Sequence, residues 1–566
     1  MPEDIQPHSD NQLSEQQSEP NNTKHETTFQ QSEPTNTEPD TLFQPDQNTV
    51  IVSPKNKSPL VPILFVLLLV LIVACGAFYI TRNHNKQVTV ANKDISNLTY
   101  AFSDAADIYP AFPLQKADTV YTTLIDNQLF ESLVKYQDQT KVVPALATGW
   151  TNPDESTWIF NLRHGVTFHD GIIFTASDVK YSLDYAISHQ NDYNGSTTFY
   201  LASTIKSVNV VNPYQVKITT KQPDAVFLNR LAGGLFIFNQ KAKLGDPNAG
   251  TGPYIVKTGP KSTTTLDLQA YNPYWGGHIF TRSVHIVEDP TFDQMAKNAA
   301  AGKYDLSGDF DSKQIARIKA KSTAYQPITV PDLGTHFLTL NTNNVNSPLH
   351  TLQARQALAY ALNIPQILKT GSITGSQASQ LIPSELAGYD PSIKNTQYSP
   401  QKAKILLAQV PKANTQLNLY YPKGDEDQMT EIAKELNAVG FNIKLTSVGD
   451  LGALINRITA GQGDIFFLSY NSNTLDGLDI VSTVVAGTKN YSNSELDSLI
   501  TQANATIDPS TRITILQKIE QLVSKDVPTV PLYSETRTFA QLKPYVVNVD
   551  LPALATGTYF WQVRQK

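Results

Sequence analysis

The stretch WIFNLRHGVTFHDGIIFTASDVKYSL, residues 158–183, contains three consecutive local signals. Its opening residues, 158–162, are rich in aromatic and branched side chains, which predicts a strand. Asp170-Gly171 predicts a tight hairpin turn. Thr175 stands three residues before Asp178, and this spacing predicts the capped start of a helix. A strand, a turn and a helix in such quick succession indicate a mixed α/β architecture.

The same alternation continues on both sides of this stretch. Further strands are predicted at residues 97–102, 210–211 and 216–218. Segments with a period of 3.6 residues, which predicts helices, are 352–368, 400–409, 428–439 and 510–523. Interleaved strands and helices favour an α/β fold, and the absence of a fixed-period repeat argues against solenoids and propellers.

Charge is distributed very unevenly along the chain. Residues 1–58 hold ten acids and three bases, and residues 59–80 hold no charged side chain. The remaining body therefore carries 41 bases and 41 acids, which are the totals of 44 and 51 less those of the tail. A balanced body argues against a nucleic-acid-binding protein, which would need clustered excess Lys and Arg.

The N-terminal 58 residues form a polar tail. They are rich in Gln, Asn, Thr, Ser and Pro, and QQSEPNNT at 16–23 returns as QQSEPTNT at 30–37. Such a segment cannot bury enough apolar surface to offset its ordering entropy. We expect residues 1–58 to be a disordered acidic tail and residues 81–96 to be a linker.

The apolar run at residues 59–80 is the one strongly hydrophobic segment of the sequence. From Leu60 to Ile80, a helix rising 1.5 Å per residue would span roughly 31 Å, the thickness of a bilayer's hydrocarbon core. It predicts a single-pass anchor that contacts lipid through residues 60–80, with the body on the extracytoplasmic side. An alternative stays open, because residues 72–76 (IVACG) resemble a lipoprotein cleavage box with Cys75 as the lipidated residue.

Motifs of catalysis are missing from the sequence. It has no GxSxG, HExxH, Walker or GxGxxG pattern. Cys75 is its only cysteine and the histidines are scattered singly, which disfavours thiolate or local-spacing metal sites. His169-Asp170 and the GTGPY turn at 250–254 are predicted to be structural. We therefore expect no catalytic residues, no cofactor and no metal.

Several blocks, in their order along the chain, closely resemble the signature of the extracellular solute-binding proteins of family 5. The N-terminal blocks are NQLFESLV (127–134), PALATGW (144–150) and residues 158–183. The central and C-terminal blocks are GTGPY (250–254), YNPYWGG (271–277), GKYDL (302–306), LNT (340–342), ARQALAYAL (354–362), residues 399–407, NYSNSELD (490–497) and VPTVPLY (527–533). The resemblance covers residues 97–535, nearly the whole body.

This resemblance implies a two-lobed periplasmic-binding-protein-like α/β fold of class II, cluster C type. The first lobe would comprise residues 97–136, 240–330 and 530–566. An extra domain, residues 137–239, would be inserted in it, and residues 331–529 would form the second lobe. The family's members are the peptide, dipeptide and nickel receptors of ABC importers. The expected function is capture of an oligopeptide or similar polar solute between hinged lobes and its delivery to an ABC permease, without chemistry on the solute.

The resemblance also implies where the ligand would touch the chain. The expected contacts are Asp118, Val120, Tyr470, Asn471, Asn473 and Asp476. Peptide receptors of this family place an aspartate where Asn473 stands, and an amide cannot neutralise a peptide's ammonium. Asp476 or Asp479 is the expected substitute if the loop is longer. A second function stays open, a sensory or surface-interaction module that has kept the receptor fold but not transport.

Overall fold

The computed structural model describes residues 93–103, 108, 110, 120–137, 141–190, 197–257, 262–412, 415–449, 451–472, 474–546 and 559–565. The predicted tail, the predicted span with Cys75, Asp118 and Asn473 lie outside these residues. Within the described part, none of the helices combines the length and hydropathy that a bilayer crossing requires. The predictions for the tail and the anchor therefore stay predictions.

Strands dominate the part of the described chain up to residue 220. Its elements are β1 (Leu98–Phe102), α1 (Val120–Leu129), β2 (Val134–Gln137), β3 (Lys141–Pro144), β4 (Ala147–Asp154), β5 (Thr157–Leu162), α2 (Ala176–Ser188), α3 (Thr197–Thr204), β6 (Ile205–Asn212) and β7 (Gln215–Thr220). The next part, up to residue 340, contains α4 (Phe227–Gly234), β8 (Tyr254–Val256), β9 (Thr265–Ala270), β10 (Ser283–Glu288), α5 (Phe292–Ala300), β11 (Leu306–Gly308), α6 (Ser312–Lys321), β12 (Tyr325–Pro331) and β13 (Gly334–Leu340).

Helices and strands alternate in the remainder. Its elements up to residue 471 are α7 (Leu352–Ala361), α8 (Ile364–Gly371), β14 (Gly375–Gln377), α9 (Pro400–Leu407), β15 (Gln416–Pro422), α10 (Glu426–Val439), β16 (Asn442–Val448), α11 (Leu451–Ala460) and β17 (Ile465–Asn471). The last elements are α12 (Gly477–Val481), α13 (Ser494–Ala505), α14 (Pro509–Asp526), β18 (Thr529–Leu542), β19 (Tyr545–Val546) and β20 (Arg564–Gln565).

One sheet of twelve strands runs through the body. Its order is β16-β15-β17-β13-β18-β11-β1-β10-β9-β8, with β12 and β14 also paired to β18. β1 is parallel to β10 and β11, and β15 is parallel to β16 and β17. We call the β11-to-β8 side the first lobe and the β16-to-β13 side the second lobe. The 14-residue strand β18 pairs with strands of both, so it crosses between them.

Each lobe buries its own apolar core. In the first lobe, residues such as Tyr100 and Ile286 pack together, and in the second lobe Leu338 and Leu419 belong to a separate cluster. A further cluster around Phe160 lies under the separate four-stranded sheet β4-β5-β7-β6. The two lobes therefore have separate cores, and strand β18 runs from one lobe to the other.

The local signals of residues 158–183 are confirmed. β5 begins one residue before the predicted strand, and Gly171 turns the chain with a φ of +83°, a conformation that favours glycine. The backbone N–H and the hydroxyl of Thr175 both donate to Asp178 Oδ2, at 2.9 and 3.0 Å, at the start of α2. The first of these bonds satisfies a backbone N–H that the start of a helix leaves unpaired.

One helix prediction was wrong. Residues 352–368, predicted as a single helix, form α7 and α8 with a break at Leu362-Asn363. Asn363 Oδ1 caps α8 by accepting from Gln366 N at 3.3 Å. Pro365 then lies in the first turn of α8, where its missing N–H costs nothing. The other three predicted helices correspond to α9, α10 and α14.

Candidate functional site

The parallel strands of both lobes end at the same region of the molecule. β11 of the first lobe ends at Gly308, directly before Asp309, and β17 of the second lobe ends at Asn471. In open α/β sheets, ligands bind beyond the carboxyl ends of the strands. Side chains of the crossing strand β18 contact residues at both of these strand ends, so the two edges face each other across a cleft.

Arg537 of β18 connects the two edges. Its Nη1 lies 3.7 Å from Asp309 Oδ2, and its Nε lies 3.3 Å from Asp332 Oδ1. Asn471 donates from Nδ2 to both carboxylate oxygens of Asp332, at 3.2 and 3.1 Å. The side chains of Arg537, Asp332 and Asp309 are 15%, 11% and 31% exposed. We call Asp309, Asp332, Asn471 and Arg537 the cleft network.

A second chain of contacts extends along the same face of β18. Glu535 lies two residues before Arg537, so the two side chains share a face of the strand. His336 Nε2 lies 3.1 Å from Glu535 Oε1, and the His336 ring stacks on Tyr533 with centroids 4.5 Å apart. Tyr533 OH donates to Gln428 Oε1 at 2.5 Å, which carries the contacts to α10.

The charges at this edge are predominantly negative. Burial raises the pKa of Asp309 to about 6 against the opposing effect of Arg537. Burial also acts to raise the pKa of Glu535, but the hydrogen bond and charge of His336, together with Arg537, hold it below the ordinary value. The carboxylates of Asp309, Asp332 and Glu535 thus face one arginine and one histidine. This arrangement suits a ligand that offers hydrogen-bond donors or positive charge.

The structure places two of the predicted ligand contacts at the edge. Tyr470 and Asn471 are the last residues of β17, and because strand side chains alternate, only Asn471 joins the cleft network. The Tyr470 hydroxyl accepts instead from Thr483 Oγ1 at 3.4 Å. Val120 is the first residue of α1, and its side chain lies outside the described part. The predictions for Asp118 and Asn473 concern residues that are not described.

Asp476 has a different environment from the one expected. Its carboxylate forms a two-pronged ion pair with Arg512, at 3.0 and 2.9 Å, and both side chains are 7% exposed. Asp476 Oδ1 also caps α12 by accepting from Leu478 N at 3.0 Å. A ligand contact by Asp476 stays a prediction, and it would require the acid to share or leave Arg512. Asp479 accepts a 3.4 Å hydrogen bond from Ser472 Oγ.

Sequence reasoning missed Asp309, Asp332, Glu535 and Arg537. Each stands at a strand end or within a strand, with no motif around it. One sequence signal could have indicated a polar site. Glu535 and Arg537 come directly after the apolar block 527–533, and their spacing places both charges on one face of a strand.

The motifs predicted to be structural have structural contacts. His169 Nε2 lies 3.0 Å from Gly252 O, and burial lowers the pKa of His169 to about 4, so the ring is neutral at pH 7. Asp170 accepts from Ile172 N at 2.9 Å, within its own turn. Among the described residues, no group of three or more His, Cys, Asp or Glu could hold a metal ion.

A cavity of about 330 Å³ opens beside the cleft network. Asp332 and Glu535 contribute to its wall, together with the loop that follows β14. The candidate site therefore combines a charged network between two lobes with an adjoining polar space.

Comparison with known proteins agrees with this architecture. Residues 141–492 match the family model described as bacterial extracellular solute-binding proteins, family 5 Middle. The glutathione-binding protein GsiB of Salmonella paratyphi A is 25% identical over 460 residues, covering 76% of this chain and 88% of GsiB.

Two solved structures show the same fold. HbpA2 from Haemophilus parasuis aligns with a TM-score of 0.72 at 21% identity, over 83% of this chain and 100% of HbpA2. The periplasmic binding protein DppA from Helicobacter pylori, in complex with the peptide STSA, aligns with a TM-score of 0.66 at 21% identity, over 84% and 98%. The predicted two-lobed α/β periplasmic-binding-protein fold is confirmed.

The relatives also confirm the predicted class of function, since they are solute-binding proteins and not enzymes. The matched family region extends over more than half of the sequence and includes β17 of the candidate cleft. The chain belongs to the bacterial extracellular solute-binding proteins of family 5.

Proposed function

We propose that the chain is the membrane-tethered substrate-binding subunit of an ABC importer. It captures a peptide, glutathione or a similar polar solute in the cleft and delivers it to a permease. The observation that carries the proposal is the cleft network, in which Arg537 joins carboxylates from the facing edges of two lobes. The peptide in the H. pylori relative and the name of GsiB support this class of solute.

Binding would act through the crossing strands. β12 and β18 link the lobes, so rotation about them opens or closes the cleft while both cores stay intact. The solute favours closure only by as much as it binds the closed state better than the open state. The proposed contacts are Asn471 in the network, with Asp118, Val120, Tyr470, Asn473 and Asp476 as further candidates.

The proposed domain organisation follows the family pattern. The first lobe would comprise residues 97–136, 240–330 and 530–566, with residues 137–239 as an inserted domain of the cluster C type, and residues 331–529 as the second lobe. The separate four-stranded sheet and its core support an inserted domain. Residues 59–80, or lipid on Cys75, would tether this body outside the cytoplasm.

A ligand panel tests the function. The full chain, purified in detergent, would be screened by thermal shift against di- to pentapeptides, glutathione, a nickel chelate and an oligosaccharide. A ligand at about 100 times its Kd adds about 2.7 kcal/mol to the free energy of unfolding, which raises Tm by a few degrees. Asn471→Ala should weaken binding of the active ligand, whereas the exposed Asn209→Ala on β6 should not. No shift with any compound would contradict the proposal.

The tether and the importer role need separate measurements. The intact mass of the membrane-extracted protein distinguishes an uncleaved Met1 terminus from a lipidated Cys75 terminus, because the two differ by thousands of daltons. Uptake of the identified solute should fall when the gene is deleted. Binding without any effect on uptake would instead support the sensory or surface-interaction alternative.

A further inference from the structure

The cavity beside the cleft network has a wall of unusual charge. It is formed by the loop after β14, by residues 534–536 of β18 and by Asp332. Its volume is about 330 Å³, whereas a cavity of roughly 10–15 Å³ is enough to hold one water molecule. The space can therefore accept a side chain of a solute bound in the cleft.

All charged residues among its described lining are carboxylates. They are Asp332, Glu385 and Glu535, and no Lys, Arg or His is among the described residues of the wall. Arg537 and His336, which contact Asp332 and Glu535, lie outside the lining. Three carboxylates therefore face Arg537 and His336, so acidic side chains outnumber basic ones at this cavity.

Glu385 is the acid without a cationic partner. Its hydrogen bond in the structure comes from the hydroxyl of the adjacent Ser384, at 2.9 Å, and no cation of the described chain pairs with it. The wall also includes apolar residues such as Ile382 and Pro383, and it offers hydroxyl and amide oxygens from Ser376, Ser379, Asn395, Ser534 and Thr536. Such a wall provides acceptors for several N–H donors, which an ammonium or guanidinium group supplies.

We infer that this cavity is a specificity subsite for a cationic side chain of the bound solute, of the lysine or arginine type. The inference rests on the proposed function, since it assigns one part of a solute held in the cleft. A neutral side chain would leave the carboxylates partly desolvated and uncompensated, and an anionic one would be repelled. The cation would be bound within the cavity whose lining includes Glu385, Asp332 and Glu535.

Peptide pairs of similar shape but different charge test the subsite. Isothermal titration of the full chain would compare a series of tripeptides that carry lysine with the same series carrying acetyl-lysine, and arginine with citrulline, at each position. We expect the cationic member to bind about tenfold more tightly at one position, as for a charge-assisted hydrogen bond. Glu385→Gln should remove most of this preference while keeping the side chain's volume. Glu155→Gln, an exposed turn residue far from the cavity along the sequence, is the matched control and should preserve it.

Each outcome decides between the two proposals. Equal binding of cationic and neutral peptides, or a preference unchanged in both Glu385→Gln and Glu535→Gln, overturns the subsite and leaves the proposed function standing. Failure of every compound of the panel, peptides and glutathione included, to bind the wild-type chain overturns both. Thermal unfolding of each variant identifies a loss of folding, and Glu535→Gln then provides the second, independent test of the same wall.

Discussion

At the scale of single residues, Arg537 is the side chain that contacts acids from both edges of the cleft. Burial acts to lower its pKa, but Asp332, Asp309 and Tyr121 together hold the pKa above its ordinary value. Tyr121 is the second residue of α1, so three separate segments converge on this guanidinium. Removing it would leave two acids partly buried next to each other.

We expect Arg537→Met to destabilise the protein by about 2–4 kcal/mol, somewhat below the cost of breaking a fully buried ion pair because Asp309 is partly exposed. Urea unfolding measures the change. The matched control is Arg317→Met, because Arg317 pairs with Asp293 at 3.1 Å on the surface. There the expected change is about 0–1 kcal/mol. Similar losses for both variants would contradict the role of the cleft network.

Glu520 is a buried acid outside the cleft. It lies on α14, its side chain is fully buried, and Oε2 has no hydrogen-bond partner in the described chain. Burial raises the pKa of Glu520 to about 8, against the lowering effect of the Ile382 and Leu381 backbone. The folded chain therefore keeps this proton at a pH where the unfolded chain, with an ordinary pKa near 4.5, has lost it.

Because the pKa of Glu520 is higher in the folded state than in the unfolded state, the free energy of unfolding depends on pH. Between about pH 4.5 and pH 8 the folded state binds more protons than the unfolded state, so this group lowers the free energy of unfolding as pH rises. We expect Glu520→Gln, which mimics the protonated acid, to be more stable than wild type at pH 8 and nearly equal at pH 4.5. Urea unfolding at four pH values, with Glu155→Gln as control, measures this. A constant difference across the range would show that Glu520 is already ionised when folded.

At the scale of elements, the GTGPY segment is a packing turn against α1. A Cβ on Gly250 would lie 2.0 Å from Leu129 O and one on Gly252 would lie 2.5 Å from Gln128 O. Thr251 Oγ1 donates to Glu131 Oε2 at 2.8 Å, which fixes the turn to the chain just after α1. The backbone of α1 fills the space beside these glycines, which a phosphate-binding loop would need to keep open for its ligand.

We expect Gly250→Ala to destabilise the first lobe by about 3 kcal/mol or more, because backbone atoms must move to admit the methyl group. The control is Gly149→Ala on β4, where a Cβ would have no atom within 4 Å. That variant should change the free energy of unfolding by less than about 0.5 kcal/mol. Thermal unfolding compares the two, and a stable Gly250→Ala protein would show that α1 and the turn are not in close contact.

At the scale of the whole molecule, a set of hydrogen bonds joins segments that the sequence places far apart. Asn229 Nδ2 of α4 donates to Thr474 O at 2.5 Å, and Ala225 N donates to Asn504 O at 3.0 Å. Tyr136 OH in turn donates to Asn229 O at 2.7 Å. Thr474 follows β17, whose end forms part of the cleft. These bonds therefore favour the arrangement of lobes seen in this structure.

We expect Asn229→Ala to weaken solute binding about fivefold, because losing a hydrogen bond of roughly 1 kcal/mol reduces the population of this arrangement. Titration with the ligand identified from the panel measures the change. Asn209→Ala, which removes an exposed 3.3 Å bond to Ser207 Oγ, should leave the affinity unchanged. Unaltered affinity in Asn229→Ala would show that these bonds do not bias the lobes.

The sequence alone was sufficient wherever the information is local or carried by an ordered set of motifs. The turn at Gly171, the cap at Thr175 and three of four helices follow from neighbouring residues, and the ordered blocks indicated the family and its two-lobed fold. The helix break at Asn363 was also written locally, in the spacing of Asn363 and Pro365, although the apolar period obscured it.

The contents of the cleft depended on tertiary structure. Asp309, Asp332, Asn471 and Arg537 are spread over more than two hundred residues, and only the crossing of β18 between the two lobes brings them together. Likewise, Asp476 looks like a free acid in the sequence, and only the packing of α14 gives it Arg512 as a partner. Local propensity acts over a few residues, whereas the charge environment of a side chain depends on which distant segments pack around it. The sequence therefore determined the kind of protein, and the fold decided which of its charges lie together at the cleft.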